Sequence, residues 1–168
     1  LPSVAAIACA DTRPSKKLLD HFRIEKPLMA YHDHSDGKSS SKILRHLASG
    51  DDIALISDAG TPLISDPGYR LVLAAREKGY QVIPIPGASA VISALSVAGL
   101  PTDKFRFMGF LPAKRSQRKK ALAELSSVSD TMVFYEAPHR ILDCLADARE
   151  VFGGEHPGFI AREISKTF

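Results

Sequence analysis

The chain has 168 residues, 45% of them apolar, and a formal charge of only +3. That is the composition of a globular protein of one domain or two small ones, with no apolar run long enough to cross a bilayer and no secretory signal pattern at its start. The two cysteines, Cys9 and Cys144, have no CxxC spacing and fall in apolar patterns, so buried reduced thiols and a cytoplasmic setting are expected. In chain order, residues 4–8 read as a short apolar strand, and 15–22 as a helix with Pro14 near its start. Residues 28–32 read as a strand, and 39–49 as a helix with Ile43, Leu44 and Leu47 on one face, ended by Gly50. A strand at 53–57 leads into a polar turn. Asp66-Pro67 then reads as the start of a helix that covers 69–78 and is closed by Gly79. Residues 81–85 read as a strand and 89–98 as a helix ended by Gly99.

Leu100-Pro-Thr-Asp103 breaks this alternation and marks the expected domain boundary, giving domains 1–100 and 101–168. Beyond it come a strand at 105–110, a helix at 116–125, a strand at 131–135, a helix at 139–152 and a strand at 159–162. Alternating strands and helices predict an α/β fold with mainly parallel sheets covered on both faces. No G-x-G-x-x-G occurs, so the common dinucleotide-binding fingerprint is absent.

Chemistry concentrates in the turns. Ser57-Asp-Ala-Gly-Thr-Pro-Leu-Ile-Ser-Asp-Pro-Gly68 lies between an apolar strand and a helix, the layout of a ligand-binding corner in an α/β sheet. Three Gly/Pro turns, at 59–62, 86–89 and 136–139, fall at the ends of expected strands, where open α/β sheets bind ligands. Asp11 and Arg13 follow the first strand; Asp11 reads equally as a helix cap or as a site residue. Glu136-Ala-Pro-His-Arg140 ends a strand and opens a helix, so His139 and Arg140 stand where an anion can bind. Tyr31-His-Asp-His-Ser-Asp36 puts His32 and His34 on one strand face, with Asp33 and Asp36 beside them. A zinc site needs three or four ligands and no further one is evident, so no metal is expected. Between residues 104 and 123 there is no acid, while Lys114, Arg115, Arg118, Lys119 and Lys120 cluster together, a patch suited to a polyanion.

The 57–68 segment closely resembles the signature of the bacterial 16S rRNA (cytidine-2′-O)-methyltransferases of the tetrapyrrole methylase-like superfamily. Further matching segments follow in order: Ala10-Asp-Thr-Arg13, Ser15-Lys-Lys-Leu-Leu19, Tyr31-His-Asp-His34, Pro86-Gly-Ala-Ser-Ala90, Gly109-Phe-Leu-Pro112, Phe134-Tyr-Glu-Ala-Pro-His-Arg140 and Ala161-Arg-Glu-Ile-Ser-Lys166.

The resemblance implies two α/β domains with S-adenosyl-L-methionine (SAM) in a cleft between them. It implies methyl transfer to a decoding-centre cytidine ribose of 16S rRNA in the small ribosomal subunit, and a homodimer. By the same resemblance Asp58, Gly60, Thr61, Pro62, Ile64, Ser89, Ala90, Tyr135, Glu136 and Ala137 contact the cofactor. Asp11, Arg13 and Glu136 are the catalytic candidates, and Lys114, Arg115, Arg118, Lys119, Lys120, His139 and Arg140 face the RNA. One departure stands out: the family pattern A-E-D-T-R has Ala10 here in place of Glu. The chain also lacks the family's earlier strand with its T-P-I-G-N-like loop, which reads as a truncation at both ends. Competing readings are a methylase of the same fold acting on a tetrapyrrole or a protein, an RNA-binding module without catalysis, and a metal hydrolase built on His32 and His34.

Overall fold

The apolar run Ala6–Cys9 forms strand β1, and its burial sets the rest of the first unit around it. The computed structural model describes residues 1–33 and 37–164 and divides into two units, Leu1–Ala88 and Ser89–Phe168. In the first, β1 is the middle of a three-stranded parallel sheet, with β2 (Leu28–Ala30) on one side and β3 (Ile53–Ile56) on the other. A central parallel strand is covered on both faces, which is why β1 is apolar at every position rather than alternating.

Helices α1 (Thr12–His21), α2 (Lys38–Ala48) and α3 (Tyr69–Glu77) complete this unit. Ala6 and Ala8 share a core with Met29, Tyr31, Ile43 of α2 and Leu71 of α3, flanked by Leu44, Leu47, Ile53 and Leu55. Burial of a side chain such as Ile43 contributes about 2 kcal/mol. Strand alternation turns Ile7 and Cys9 to the other face, and both are buried.

Two helix starts differ from expectation. Helix α1 begins at Thr12, three residues before the expected start at Ser15, because Asp11 caps it: its Oδ1 accepts the Arg13 N–H at 2.8 Å. Pro14 then sits in the first turn, where a missing N–H costs nothing. Helix α3 covers the expected span from Tyr69, but its N-cap residue is Gly68, at φ of 140°, and not the expected start signal Asp66-Pro67. Its far end is as expected: Gly79 has φ of 80° and donates its N–H to Arg76, while the Tyr80 N–H reaches Ala75.

The expected strand at 81–85 does not form. Residues 81–89 carry neither helix nor strand, and Ile85 is 85% exposed. An apolar run becomes a strand only by pairing, and Pro84 withdraws a ladder donor from its middle.

The second unit opens with α4 (Ala90–Leu95). Strands β4 (Phe105–Phe110) and β5 (Thr131–Tyr135) pair in parallel, with a register shift between Phe107 and Gly109. Helices α5 (Arg115–Glu124) and α6 (Ile141–Phe152) pack together, with Leu111, Leu122 and Cys144 at the centre of a core that takes in Phe134, Ala148 and Val151. The expected strand at 159–162 is also unformed; Phe159 and Ile160 are exposed and pair with nothing in the described sheets. The α/β class and the parallel pairing stand as expected in both units.

Candidate active site at the carboxyl edge of the first sheet

Parallel register places Cys9 beside both Ala30 and Ile56. The segments that follow β1, β2 and β3 therefore leave the sheet along one edge, the edge at which open α/β sheets hold ligands. It carries Asp11 and Arg13, then Tyr31 to Asp33, then the loop 57–68.

Asp11 and Arg13 are locked to each other. Arg13 Nε lies 3.1 and 3.2 Å from the two Asp11 oxygens, and Nη2 is 2.6 Å from Oδ2. The Arg13 side chain is 86% exposed. Its side-chain hydrogen bond, followed by its backbone N–H, lowers the Asp11 carboxyl to about 2. Asp11 is thus a permanent anion and a weak base near neutral pH. The pair uses Arg13 Nε and Nη2 and leaves Nη1 outside it.

The loop after β3 is built from backbone. The Ser57 hydroxyl donates to the Ala59 carbonyl at 2.8 Å and accepts the Ala59 N–H at 3.2 Å. Asp58, Gly60, Thr61 and Ile64 are exposed, Pro62 half-buried. Leu63 and Ser65 hold φ of 73° and 54°, unfavourable for residues with a Cβ. At its end the Gly68 N–H donates to both oxygens of Asp33, each at 3.2 Å, and Asp33 Oδ1 accepts the Tyr31 hydroxyl at 2.7 Å. Sequence reasoning saw Asp33 only as a neighbour of His32 and His34. Its partner lies 35 residues away, and no local pattern announces it.

In the second unit Tyr135 packs its ring edge-on against Phe107, with centroids 4.8 Å apart, and beside Phe110 at 5.5 Å. The Glu136 side chain is only 4% exposed. One oxygen accepts the Ala137 N–H at 2.8 Å and the other accepts Arg140 Nη2 at 3.1 Å. Arg140 Nη2 also donates to the carbonyls of Leu111 (2.9 Å) and Pro112 (3.2 Å), while its buried Nε has no partner among the described residues. Glu136 presents no free carboxylate: the pair ties the β4–α5 connection to the end of β5. His139 is exposed in a short 3-10 turn, Pro138–Arg140, which opens α6. Ser89 is half-buried and Ala90 exposed at the start of α4.

The basic run divides. Arg118, buried on α5, gives Nε and Nη2 to Asp147 of α6, each at 2.7 Å from Oδ2. Arg115 Nε takes the other Asp147 oxygen at 2.9 Å and its Nη2 reaches Glu150 at 3.2 Å. Lys119 pairs with Glu150 as well. Burial pushes the Asp147 carboxyl up, and the hydrogen bonds from Arg115 and Arg118 more than offset it, leaving it below the usual range. Lys114 and Lys120 are exposed and enter none of the ion pairs among the described residues. A readable signal existed: Arg118 stands four residues before Leu122 on the buried face, and Asp147 stands between Cys144 and Val151 on the apolar stripe of α6.

Of the histidine cluster, His32 is exposed, and His34 and Asp36 lie outside the described residues, as do residues 165–168. Cys9 and Cys144 are free and buried, as expected; burial, then the charge of Glu136, pushes the Cys144 thiol up. Among the described residues no helix is long and apolar enough to cross a membrane.

Comparison with known proteins converges on one family. The chain is 53% identical over 168 residues to the ribosomal RNA small subunit methyltransferase I of Pseudomonas aeruginosa, all of this chain and 60% of that protein's length. The protein of the same name in Vibrio cholerae is also 53% identical, with 58% of its length covered. The one in Escherichia coli O157:H7 is 48% identical, with 59% covered. The chain thus spans less than two thirds of the length of these relatives. The family model of the tetrapyrrole (corrin/porphyrin) methylases matches residues 1–168, and the chain belongs to that family.

Proposed function

We propose that this chain is the greater part of a SAM-dependent methyltransferase acting on the ribose 2′-oxygen of a cytidine in 16S rRNA of the small ribosomal subunit. The observation that carries the reading is identity of about one residue in two, over the whole chain, to relatives named for small-subunit rRNA methylation. The described residues suit the cofactor. Gly60 has open space where a side chain would stand, and the exposed turn around it offers backbone N–H and C=O groups to a polar ligand. When bound, SAM would supply the methyl group, its sulfonium leaving as a neutral thioether, and the proton of the acceptor hydroxyl would pass to water.

The chain's own residues then have positional work to do. The loop residues Asp58, Gly60, Thr61, Pro62 and Ile64 hold the donor, and Ser89, Ala90, Tyr135 and Ala137 are the donor contacts proposed in the second unit. Glu136 joins them through its backbone, because its carboxylate is occupied. Arg13 receives a phosphate or carboxylate on its free Nη1. Asp11, always ionised, orients Arg13 and the acceptor hydroxyl rather than removing a proton. Lys114 and Lys120 contact RNA phosphates, with Arg115 and Lys119 contributing residual field and His139 a further polar contact. Homodimer formation and a cytoplasmic setting belong to the same proposal.

The test is transfer of label from methyl-labelled SAM by the full-length protein. Incorporation into isolated small subunits is expected. Incorporation only into a tetrapyrrole or a protein, or binding of subunits without transfer, would overturn the reading.

A further inference from the structure

We propose that Asp33 is a positioning residue for the loop 57–68: anchored by the buried Tyr31 hydroxyl, it grips the Gly68 N–H and so fixes the strained Leu63–Ser65 arc on which donor binding depends. This rests on the reading of that loop as part of the SAM site.

Three observations carry it. First, helix α3 has no side-chain cap of its own, because its N-cap residue is Gly68. A side chain there is barred: a Cβ on Gly68 would stand 2.7 Å from Leu63 Cδ1 and 3.0 Å from Leu55 Cδ2, at φ of 140°. The cap must therefore come from elsewhere in the chain. Asp33 supplies it, with both oxygens 3.2 Å from the Gly68 nitrogen and a negative charge at the positive end of the helix.

Second, Asp33 is itself held from the core. Tyr31, at the end of β2, is 1% exposed, and its hydroxyl donates to Asp33 Oδ1 at 2.7 Å. Tyr31 also shares the core with Ile43 of α2 and Leu71 of α3. Burial, then the Asp33 carboxylate, pushes the Tyr31 hydroxyl above its ordinary range, so it remains a donor.

Third, the arc needs holding. Leu63 and Ser65 sit at φ of 73° and 54°, and such residues persist only where the surroundings over-determine them. The Ser57 hydroxyl, bonded to Ala59, fixes one end. Gly68, gripped by Asp33, is the other end. Both Asp33 oxygens thus accept donors, the Gly68 N–H and the Tyr31 hydroxyl, that tie it to the loop and to the core.

The experiment uses the full-length protein with Asp33→Ala, Asp33→Asn and Asp33→Glu. S-adenosylhomocysteine affinity is read by calorimetry, subunit KM by labelled-methyl transfer, and loop opening by amide hydrogen exchange. Asp33→Ala should weaken S-adenosylhomocysteine binding about tenfold, the scale of a lost hydrogen bond to a charged group, and change the subunit KM by less than about twofold. Asp33→Asn, which keeps one acceptor, should fall between Ala and wild type, and Asp33→Glu should recover part of the loss. Exchange at Gly68 should speed up while β1 amides stay protected. Wild-type affinity in Asp33→Ala, or equal acceleration at Gly68 and β1, would overturn the proposal. If the wild-type protein binds no S-adenosylhomocysteine, the donor reading fails, and Gly68 exchange alone decides whether Asp33 holds the loop. Should Asp33→Ala not fold, Asp33→Asn serves in the same comparisons.

Discussion

Arg118 and Asp147 form a buried ion pair, with side chains only 4% and 2% exposed and both Nε and Nη2 of the guanidinium 2.7 Å from Oδ2. It joins α5 to α6 and turns the centre of a basic run inward. Removing Arg118 leaves the buried Asp147 carboxylate only the exposed Arg115 guanidinium. Arg118→Ala should therefore cost roughly 3 kcal/mol of stability. Joint replacement by Met and Leu should cost much less, because no charge is left unpaired. Denaturant titration of the two variants checks this, and equal losses would argue against the pairing.

The same pair bears on the RNA contacts proposed above, because it takes Arg118 out of the exposed basic run. Neutralising Lys114 and Lys120 together should lower affinity for rRNA whatever its sequence. It should also reduce the slope of log affinity against log salt by about 2, one released counterion per contact. Thermal stability should hardly change. Arg118→Gln should do the reverse, lowering stability and leaving the salt slope alone. Filter binding across a salt series, with melting curves on the same samples, separates the two.

The Asp11 carboxyl is lowered from 3.8 to about 2 by Arg13. A group depressed in the folded state contributes stability that is fully present above its unfolded value. That contribution is lost as pH falls from about 3.8 through about 2. Titration of Asp11 followed by NMR should show a midpoint near the lower figure, and Arg13→Gln should move it up toward the ordinary one. Around neutral pH Asp11 titrates nothing, so a pH–rate profile should carry no limb from it.

Asp11→Asn separates capping from catalysis. Asn caps a helix about as well as Asp, so the cap survives and stability at neutral pH should fall only by the small contribution of the exposed Arg13 ion pair. Methyl transfer should fall much more than SAM affinity, because Arg13 loses its ionic partner. Full turnover by Asp11→Asn would return that residue to the scaffold.

Gly68→Ala should destabilise the first unit by about 1–3 kcal/mol, from backbone strain and from contact with Leu63 and Leu55. Thermal melts check it; a neutral result would mean that α3 can start in another way.

Much of this was legible from local pattern. The apolar runs of β1 and β3, the one-sided Ile43, Leu44 and Leu47 of α2, and the Gly79 stop are set by neighbours within a few residues. What was not legible depends on distant partners. Residues 81–85 have strand composition but no strand to pair with, and Pro84 weakens the case further. Glu136 and Arg140 read as site residues because they flank a turn, yet each is committed to backbone and to the other. Asp33 looked like part of a histidine cluster, and its work for Gly68 spans 35 residues. The loop 57–68 was found because Gly and Pro mark such corners; the device that holds it was invisible until the fold closed.

The central claim is methyl transfer to a ribose oxygen of 16S rRNA, and alkaline hydrolysis of the product tests it most directly. The full-length protein is incubated with unmodified small subunits and labelled SAM, and the rRNA is then hydrolysed in base. A 2′-O-methyl group blocks cleavage of its own linkage, so the account predicts label in an alkali-resistant dinucleotide that begins with cytidine. Label released entirely in mononucleotides would place the methyl group on a base, and label absent from the rRNA would exclude it as the acceptor; either result would contradict the account.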